Sequence, residues 1–217
     1  MLRNTKDLEG YTIGATDGEI GHVKDFYFDE RSWVIRYLIV DTGNWLVSRK
    51  VLISPIAVGT PNWTQELLPV SITREQVRHS PDIDTDKPVT RQQEREYSGQ
   101  LLGQRSISHL MLLGEEGLAV RQALQTDVEN ARAEAAHEPN GDPHLRSCHA
   151  AMRDHVHASD GDIGHVQGML LDEQPWVVRS LIVDTSNWWL GHQVLIPTQS
   201  VKKFSWADGS VSVDLTR

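Results

Sequence analysis

The sequence has few of the features that secreted and membrane proteins need. Cys148 is the only cysteine among 217 residues, so no disulfide can form within the chain. A chain without disulfides is typical of a reducing compartment. No stretch approaches the roughly 20 apolar residues of a membrane-spanning helix, and the first residues lack the apolar run of a signal peptide. We therefore expect a soluble, cytoplasmic protein.

Clustered positive charge is also scarce. The formal net charge is −9, and residues 75–144 hold most of it, with 7 Lys and Arg against 13 Asp and Glu. A nucleic-acid-binding surface normally appears as clustered Lys and Arg, so we expect no nucleic-acid partner. A ribosome- or RNA-associated factor remains a further alternative, and it would need a local basic surface around Arg49, Lys50, Lys202 and Lys203.

Recognisable catalytic motifs are absent as well. The sequence contains no Gly-x-Ser-x-Gly and no phosphate-binding glycine loop. Cys148 and His149 are neighbours in the chain, which is not the geometry that a nucleophile and its base need. Asp41 and Asp184 each follow an apolar run and precede Thr, a position where Asp typically accepts backbone N–H bonds in a turn, although either could act as an acid or base. We expect no enzyme, no catalytic residue and no cofactor.

A long internal repeat is the main positive feature. The sequence DGEIGHV at 17–23 returns as DGDIGHV at 160–166, an offset of 143 residues. The same offset relates LIVDT at 38–42 to LIVDT at 181–185, and no gap is needed between Leu2 and Arg74. Self-similarity at a fixed offset indicates two copies of one structural unit.

The repeat divides the chain into three parts. Residues 1–74 form repeat 1, residues 75–144 form an acidic, partly helical linker, and residues 145–217 form repeat 2. Within the linker, apolar residues at helical spacing predict a helix at 118–136, and a shorter helix is predicted at 91–100. Each repeat is too small to bury a large core, so the repeats should pack together, either within one chain or between chains.

Short, closely spaced strands are predicted in both repeats. Their β-branched and aromatic residues are bounded by Gly, Asp and Pro turns. The principal predicted strands are 8–15, 19–28, 33–41, 50–54 and 67–72 in repeat 1, and 200–205 and 210–215 in repeat 2. Gly21 is expected to mark a bulge or a close backbone approach, and Thr73 to cap a turn of helix. The pattern favours a small β-barrel or strongly coiled sheet.

These motifs resemble a known domain family. The residues that carry the resemblance are TDGEIGHV at 16–23, IRYLIVDT at 35–42, Asn44-Trp45 and KVLISP at 50–55, with DGDIGHV at 160–166 and Trp188-Trp189 in the second copy. They are similar to bacterial PRC-barrel domains, named after the cytoplasmic domain of the photosynthetic reaction-centre H subunit. The predicted fold class is thus mainly β, with two small PRC-like β-barrels in an internal repeat joined by a partly helical linker.

The resemblance implies a docking function. PRC-type barrels serve as interaction surfaces, and the family supplies no catalytic residues to transfer. We therefore expect a non-enzymatic protein-interaction or scaffold protein. Its partner would be another protein or a second copy of the chain in a homodimer, with peripheral association to a membrane complex as a further possibility.

Histidines of repeat 2 offer an alternative function. His155 and His157 are two residues apart on a predicted strand and therefore share one face of it. Imidazole is a common zinc ligand, so the pair is a weak candidate for a metal site and for a small-ligand or metal sensor. No Cys or carboxylate stands at a recognised metal spacing, and a metal site is not the preferred interpretation.

The tryptophans are concentrated in the two repeats, and none lies in the linker. Trp45, Trp188 and Trp189 fall in predicted loops, where a large ring either closes a barrel or contacts a partner. Because Trp is enriched at interface hot spots, these three residues are the candidate interaction site.

Overall fold

The computed structural model describes residues 1–46, 49–79, 144–185, 192–205 and 208–216. The two helices predicted in the linker, at 91–100 and 118–136, lie outside the described residues. So do Trp188 and Trp189.

Strands dominate the described chain, as the sequence predicts. In chain order the elements are β1 (Leu2–Asn4), α1 (Thr5–Leu8), β2 (Thr12–Ala15), β3 (Gly18–Asp29), β4 (Ile35–Asp41), β5 (Lys50–Ile53), β6 (Leu67–Pro69), α2 (Arg74–Arg78), β7 (Leu145–Ser147), β8 (His155–Ala158), β9 (Gly161–Asp172), β10 (Val177–Asp184), β11 (Gln193–Pro197), β12 (Val201–Ser205) and β13 (Ser210–Val213). Single 3₁₀ turns occupy Gly43–Leu46, Pro55–Ala57 and Thr198–Ser200.

The described strands form two separate sheets. One has the order β5-β4-β3-β2-β6, with β7 added on β3; the other has the order β11-β10-β9-β8-β13-β12, with β1 added on β9. In each repeat the last strand lies parallel to the second, β6 against β2 and β13 against β8. The remaining pairs are antiparallel, so the fold is mainly β with two small sheet units.

Each sheet contains one strand from the other repeat. β1 pairs with β9, so that Leu2 lies opposite Asp172, and β7 pairs with β3, so that Leu145 lies opposite Asp29. The offset of 143 converts one pairing into the other. The two repeats thus exchange their first strands reciprocally within the chain, and we call β1 and β7 the leader strands.

Ion pairs repeat the same correspondence. Arg3 Nε donates to Glu173 Oε2 at 3.0 Å, and Arg146 Nε donates to Glu30 Oε2 at 3.1 Å. Both arginines lie on leader strands, and both glutamates belong to the other repeat. All four side chains are at most one-quarter exposed. Because they are partly buried, these ion pairs stabilise the position of the leader strands more than fully solvated pairs would.

A short backbone bridge joins the repeats at the centre of this arrangement. Val34 and Val177, equivalent residues by the repeat, form an antiparallel bridge. The N–H of Ile35 donates to the carbonyl of Trp176 at 2.7 Å, and the N–H of Val178 donates to the carbonyl of Trp33 at 2.8 Å. The bridge lies where an axis relating the repeats would pass, and so the repeats pack as a pseudo-symmetric pair.

Apolar side chains fill both units and the contact between them. The largest completely buried side chains are Phe26, Phe28, Leu8, Ile13, Ile20, Leu38, Ile39, Leu52, Ile53, Leu68 and Met169. Trp33 stacks on Phe28 with ring centroids 5.5 Å apart, and it also contacts Phe204 of repeat 2 at 5.5 Å. The core therefore runs continuously from one repeat into the other.

Local details differ from the predicted strand at 8–15. Residues 5–8 form α1, because the side chain of Asn4 accepts a hydrogen bond from the N–H of Lys6 and caps a helical turn. The strand begins only at Thr12. By contrast, the short helix capped by Thr73 is confirmed: Thr73 and Gln76 form a reciprocal capping box.

Candidate interaction surface

Trp45 lies against the repeated hairpin. Its indole N–H donates to the carbonyl of Ile20, and the guanidinium of Arg74 stands 4.4 Å above its ring. The ring is half-buried and packs on the core of repeat 1. Trp45 thus ties the 3₁₀ turn after β4 to β3 and α2, and its predicted role as an interaction residue stays a prediction. Trp188 and Trp189, predicted with it, lie outside the described residues.

Trp33 and Trp176 both lie at the contact between the repeats, where Trp33 meets Phe204 and Trp176 meets Phe26. Both are less than one-tenth exposed, and both have a positive φ, 61° and 51°. A bulky residue in this region of φ is uncommon and costs of order 1–3 kcal/mol, so the surrounding contacts must hold it there. The sequence pairs the two residues through the repeat but does not indicate this role. A positive φ at a Trp has no sequence signal.

His155 and His157 share one face of β8, as predicted. Their ring centroids are 6.5 Å apart, and His157 Nδ1 contacts Asp162 Oδ1. His165 on β9 lies opposite His155 and places Nε2 4.0 Å from Asp184 Oδ2. Among the residues that the structure describes, no three His, Cys, Asp or Glu side chains converge as a metal site would require.

The aspartates that end β4 and β10 occupy turns. Asp41 Oδ1 accepts the N–H of Gly43 at 2.9 Å. The hydroxyls of Thr42 and Thr185 donate to the carbonyls of Arg49 and His192 at 2.8 and 2.9 Å. The turn-forming interpretation of Asp41 is therefore confirmed by its own hydrogen bond.

Asp154 is a buried carboxyl at the end of the turn before β8. It is 8% exposed, and its Oδ2 has no hydrogen-bond partner among the described residues. Burial raises the pKa of Asp154 to about 6, while the nearby His155 acts in the opposite direction. A buried carboxylate with an unpaired oxygen is costly to ionise.

This burial predicts a pH-dependent stability. The folded protein binds the Asp154 proton more tightly than the unfolded chain, whose carboxyl has a pKa of 3.8, so the contribution of Asp154 to stability is lost as pH rises from about 4 to about 6. Asp154→Asn cannot ionise. We expect the variant to gain about 1–2 kcal/mol relative to the parent between pH 4 and pH 8. Urea unfolding at both pH values measures it, and a difference independent of pH would contradict the assignment.

One apolar edge of repeat 2 is open. β11 is an edge strand among the described strands, and its five residues, QVLIP, carry no charge. Ile196 points into the core and is 2% exposed, whereas Leu195 points outward and is 59% exposed. The equivalent residue on β5, Leu52, is completely buried. The same position is thus a packing site in repeat 1 and an exposed apolar site in repeat 2.

Together these features define a class: a mainly β protein of two sheet units, with structural tryptophans and an open apolar edge. Residues 3–62 match the family model of the PRC-barrel domain, and this part of the chain is a PRC-barrel domain. The match lies within repeat 1, and the assignment of repeat 2 to the family stays a prediction from the internal repeat. No curated protein matches the sequence. No helix in the described part of the chain is long and apolar enough to cross a membrane.

Proposed function

We propose that the chain is a non-enzymatic protein-interaction or scaffold protein, built on two PRC-type repeats related to the reaction-centre H-subunit domain and working in the cytoplasm. The observation that carries the proposal is the open edge of repeat 2, the surface formed by Gln193–Pro197 with Leu195 at its centre. PRC-type repeats supply the rigid unit that presents this edge.

The edge has the properties of a strand-docking site. An exposed edge strand presents backbone N–H and C=O groups that can pair with another chain, and proteins usually protect such edges with charge, especially Lys. Two other edge strands follow that rule, since β5 begins with Lys50 and β12 carries Lys202 and Lys203. β6 and β11 both lack charge and end at a proline, Pro69 and Pro197, and β11 differs in its exposed Leu195.

The chemistry of the edge specifies its occupant. We assign to it an extended segment of a partner protein that adds to the sheet beside β11, with an apolar side chain packed against Leu195 and no charge opposite the strand. Main-chain hydrogen bonds would provide affinity in this mode, and the side-chain contact would provide selectivity. An acidic or basic segment fits less well, because nothing on β11 would neutralise its charge.

A matched pair of variants tests the proposal. Leu195→Asp should weaken binding of the partner. Ile56→Asp puts the same charge at another exposed apolar residue (48% exposed) and should leave binding unchanged. The tagged chain is used for affinity purification from its native host with mass spectrometry. Any candidate partner is then purified, and its affinity is measured for the parent protein and for the two variants.

The effect of Leu195→Asp on binding decides between the possible occupants of the edge. Removing the central apolar contact of a docked strand and inserting an uncompensated charge should weaken binding by at least about 2 kcal/mol, or about 30-fold. Both variants should keep the parent melting temperature, since both sites are exposed. Binding that survives Leu195→Asp, or a monomeric protein that retains no partner, would overturn the assignment. A concentration-dependent dimer lost in Leu195→Asp alone would identify the occupant as a second copy.

A further inference from the structure

The two leader strands enter chemically different sites. At the first, β7 lies on β3 next to Asp25, which is 9% exposed. Asp25 Oδ1 accepts the N–H groups of Phe26 and His149 at 2.7 and 3.0 Å, and Oδ2 accepts the hydroxyl of Ser147. Ser147 Oγ in turn accepts the N–H of Ala150 at 2.9 Å. The Asp25 side chain on β3 thus binds the turn that follows β7.

At the second site the same positions hold different residues. The repeat places Gly168 where repeat 1 has Asp25, and Asn4 where repeat 2 has Ser147. Asn4 Oδ1 accepts the N–H of Lys6 at 3.2 Å, the amide that corresponds to that of His149. A Cβ on Gly168 would stand 2.8 Å from Asn4 Oδ1 and 3.2 Å from its Nδ2. The carboxamide of Asn4 therefore uses the space that Gly168 leaves empty.

These observations form two matched pairs. A long acceptor on the sheet meets a short hydroxyl on the leader strand, and a missing side chain on the sheet meets a long carboxamide on the leader strand. We propose that residues 25 and 168 are the specificity determinants of strand exchange: Asp25 makes β3 accept β7, and Gly168 makes β9 accept β1. The inference does not depend on the proposed docking function.

Each mismatched combination has a physical cost. If β1 entered the first site, the Asn4 carboxamide and the Asp25 side chain would compete for one space, since even a Cβ there is too close to Asn4. If β7 entered the second site, the N–H of His149 would lose its carboxylate acceptor, and the space above Gly168 would be left unfilled. The matched arrangement avoids both costs.

The negative charge of Asp25 also favours β7 over β1 at the first site. Burial raises the pKa of Asp25, and its hydrogen bonds from Ser147, Phe26 and His149 lower it, as does the positive charge that His149 can carry. A segment that entered without a hydroxyl at the Ser147 position and a free N–H at the His149 position would leave the Asp25 carboxyl with the N–H of Phe26, on β3 itself, as its remaining donor of the three. The first site therefore recognises a Ser-x-x-x turn of the kind that begins at Ser147.

Conversion of one site into the other tests the pairing in the full-length chain. Gly168→Asp should lower the melting temperature by about 5–10 °C, because the new side chain collides with Asn4. Asn4→Ser, added to Gly168→Asp, should recover at least half of that loss, since the pair then copies Asp25 with Ser147. The control is Gln167→Asp, at the bulge next to Gly168, where the side-chain oxygen accepts a hydrogen bond from Gln193; Asn4→Ser should not reduce its effect.

The reverse conversion keeps the test decisive if Gly168→Asp does not fold. Ser147→Asn should lower the melting temperature of the parent and raise that of the Asp25→Gly variant. Hydrogen exchange should locate the effect: Gly168→Asp should speed exchange at Leu2–Asn4 at least tenfold and leave Leu145–Ser147 unchanged. Additive effects in both conversions, or exchange that rises equally at the two leader strands, would overturn the proposal.

Discussion

Gly21→Ala and Gly164→Ala are each expected to destabilise the protein by about 3 kcal/mol or more, the range reached by overpacking combined with backbone strain. A Cβ on Gly21 would lie 2.0 Å from the carbonyl oxygen of Asp41, and a Cβ on Gly164 would lie 1.8 Å from that of Asp184. The obstructing atoms belong to the backbone of a paired strand and cannot rotate away. The glycine φ values, 157° and 156°, add strain for any other residue.

Gly59→Ala is the matched control for this prediction. Its Cβ would meet nothing closer than 3.6 Å, and its φ is not in the left-handed region. We expect a change within about 0.5 kcal/mol of zero. Guanidinium unfolding followed by circular dichroism measures all three variants. Similar losses at Gly21 and Gly59 would mean that the close approach to Asp41 does not determine the stability of this region.

The same contact explains why the most conspicuous motif occurs twice. Gly21 and Gly164 belong to the repeated sequence D-G-x-I-G-H-V, and the carbonyls they approach begin the repeated D-T turn. Two segments about 20 residues apart in the chain are thus one structural contact. The expectation that Gly21 marks a close backbone approach is confirmed, and the motif is explained by packing rather than by chemistry at a site.

Much of the strand pattern could be predicted because it depends on local sequence. Alternating apolar residues bounded by Gly, Asp and Pro identify β3, β4 and β5 to within two residues. The exchange of β1 and β7 could not be predicted in this way. Each leader strand has only three residues, and the sheet that it joins is decided by distant groups such as Glu173 and Glu30.

The candidate site was less predictable than the fold. A tryptophan in a loop, such as Trp45, indicates a contact with a partner, yet the indole N–H and the ring face of Trp45 are both engaged within repeat 1. Leu195 could not be found from the sequence, because its alternation with Val194 and Ile196 is the same as that of Leu52 in a buried strand. Leu195 is exposed and Leu52 is buried because the tertiary packing around them differs. A repeated sequence does not predict that difference.

Trp33→Ala is expected to cost about 3–5 kcal/mol and to weaken the coupling between the repeats. The ring is 9% exposed and lies between Phe28 of repeat 1 and Phe204 of repeat 2, each with its centroid 5.5 Å away. Aromatic contacts of this kind contribute beyond the area that they bury. Loss of the ring removes apolar contacts from the cores of both repeats at once. The two repeats should then unfold more independently of each other.

Trp176→Ala provides the internal comparison, since Trp176 occupies the equivalent position. Its one aromatic neighbour within the described residues is Phe26, at a longer centroid distance of 6.5 Å, so we expect a smaller loss than at Trp33. Trp33→Gly should be about 1 kcal/mol less harmful than Trp33→Ala, because glycine tolerates the φ of 61°.

Calorimetry and denaturant unfolding distinguish the two roles of the Trp33 ring. We expect the parent protein to unfold in a single transition. If the ring couples the repeats, that transition should broaden or divide in Trp33→Ala, with a lower denaturant slope for each step. If the ring only fills repeat 1, the transition should stay single and move to lower denaturant. Equal losses at Trp33 and Trp176 would show that the backbone bridge between Val34 and Val177, which both residues flank, matters more than the aromatic contact with Phe204.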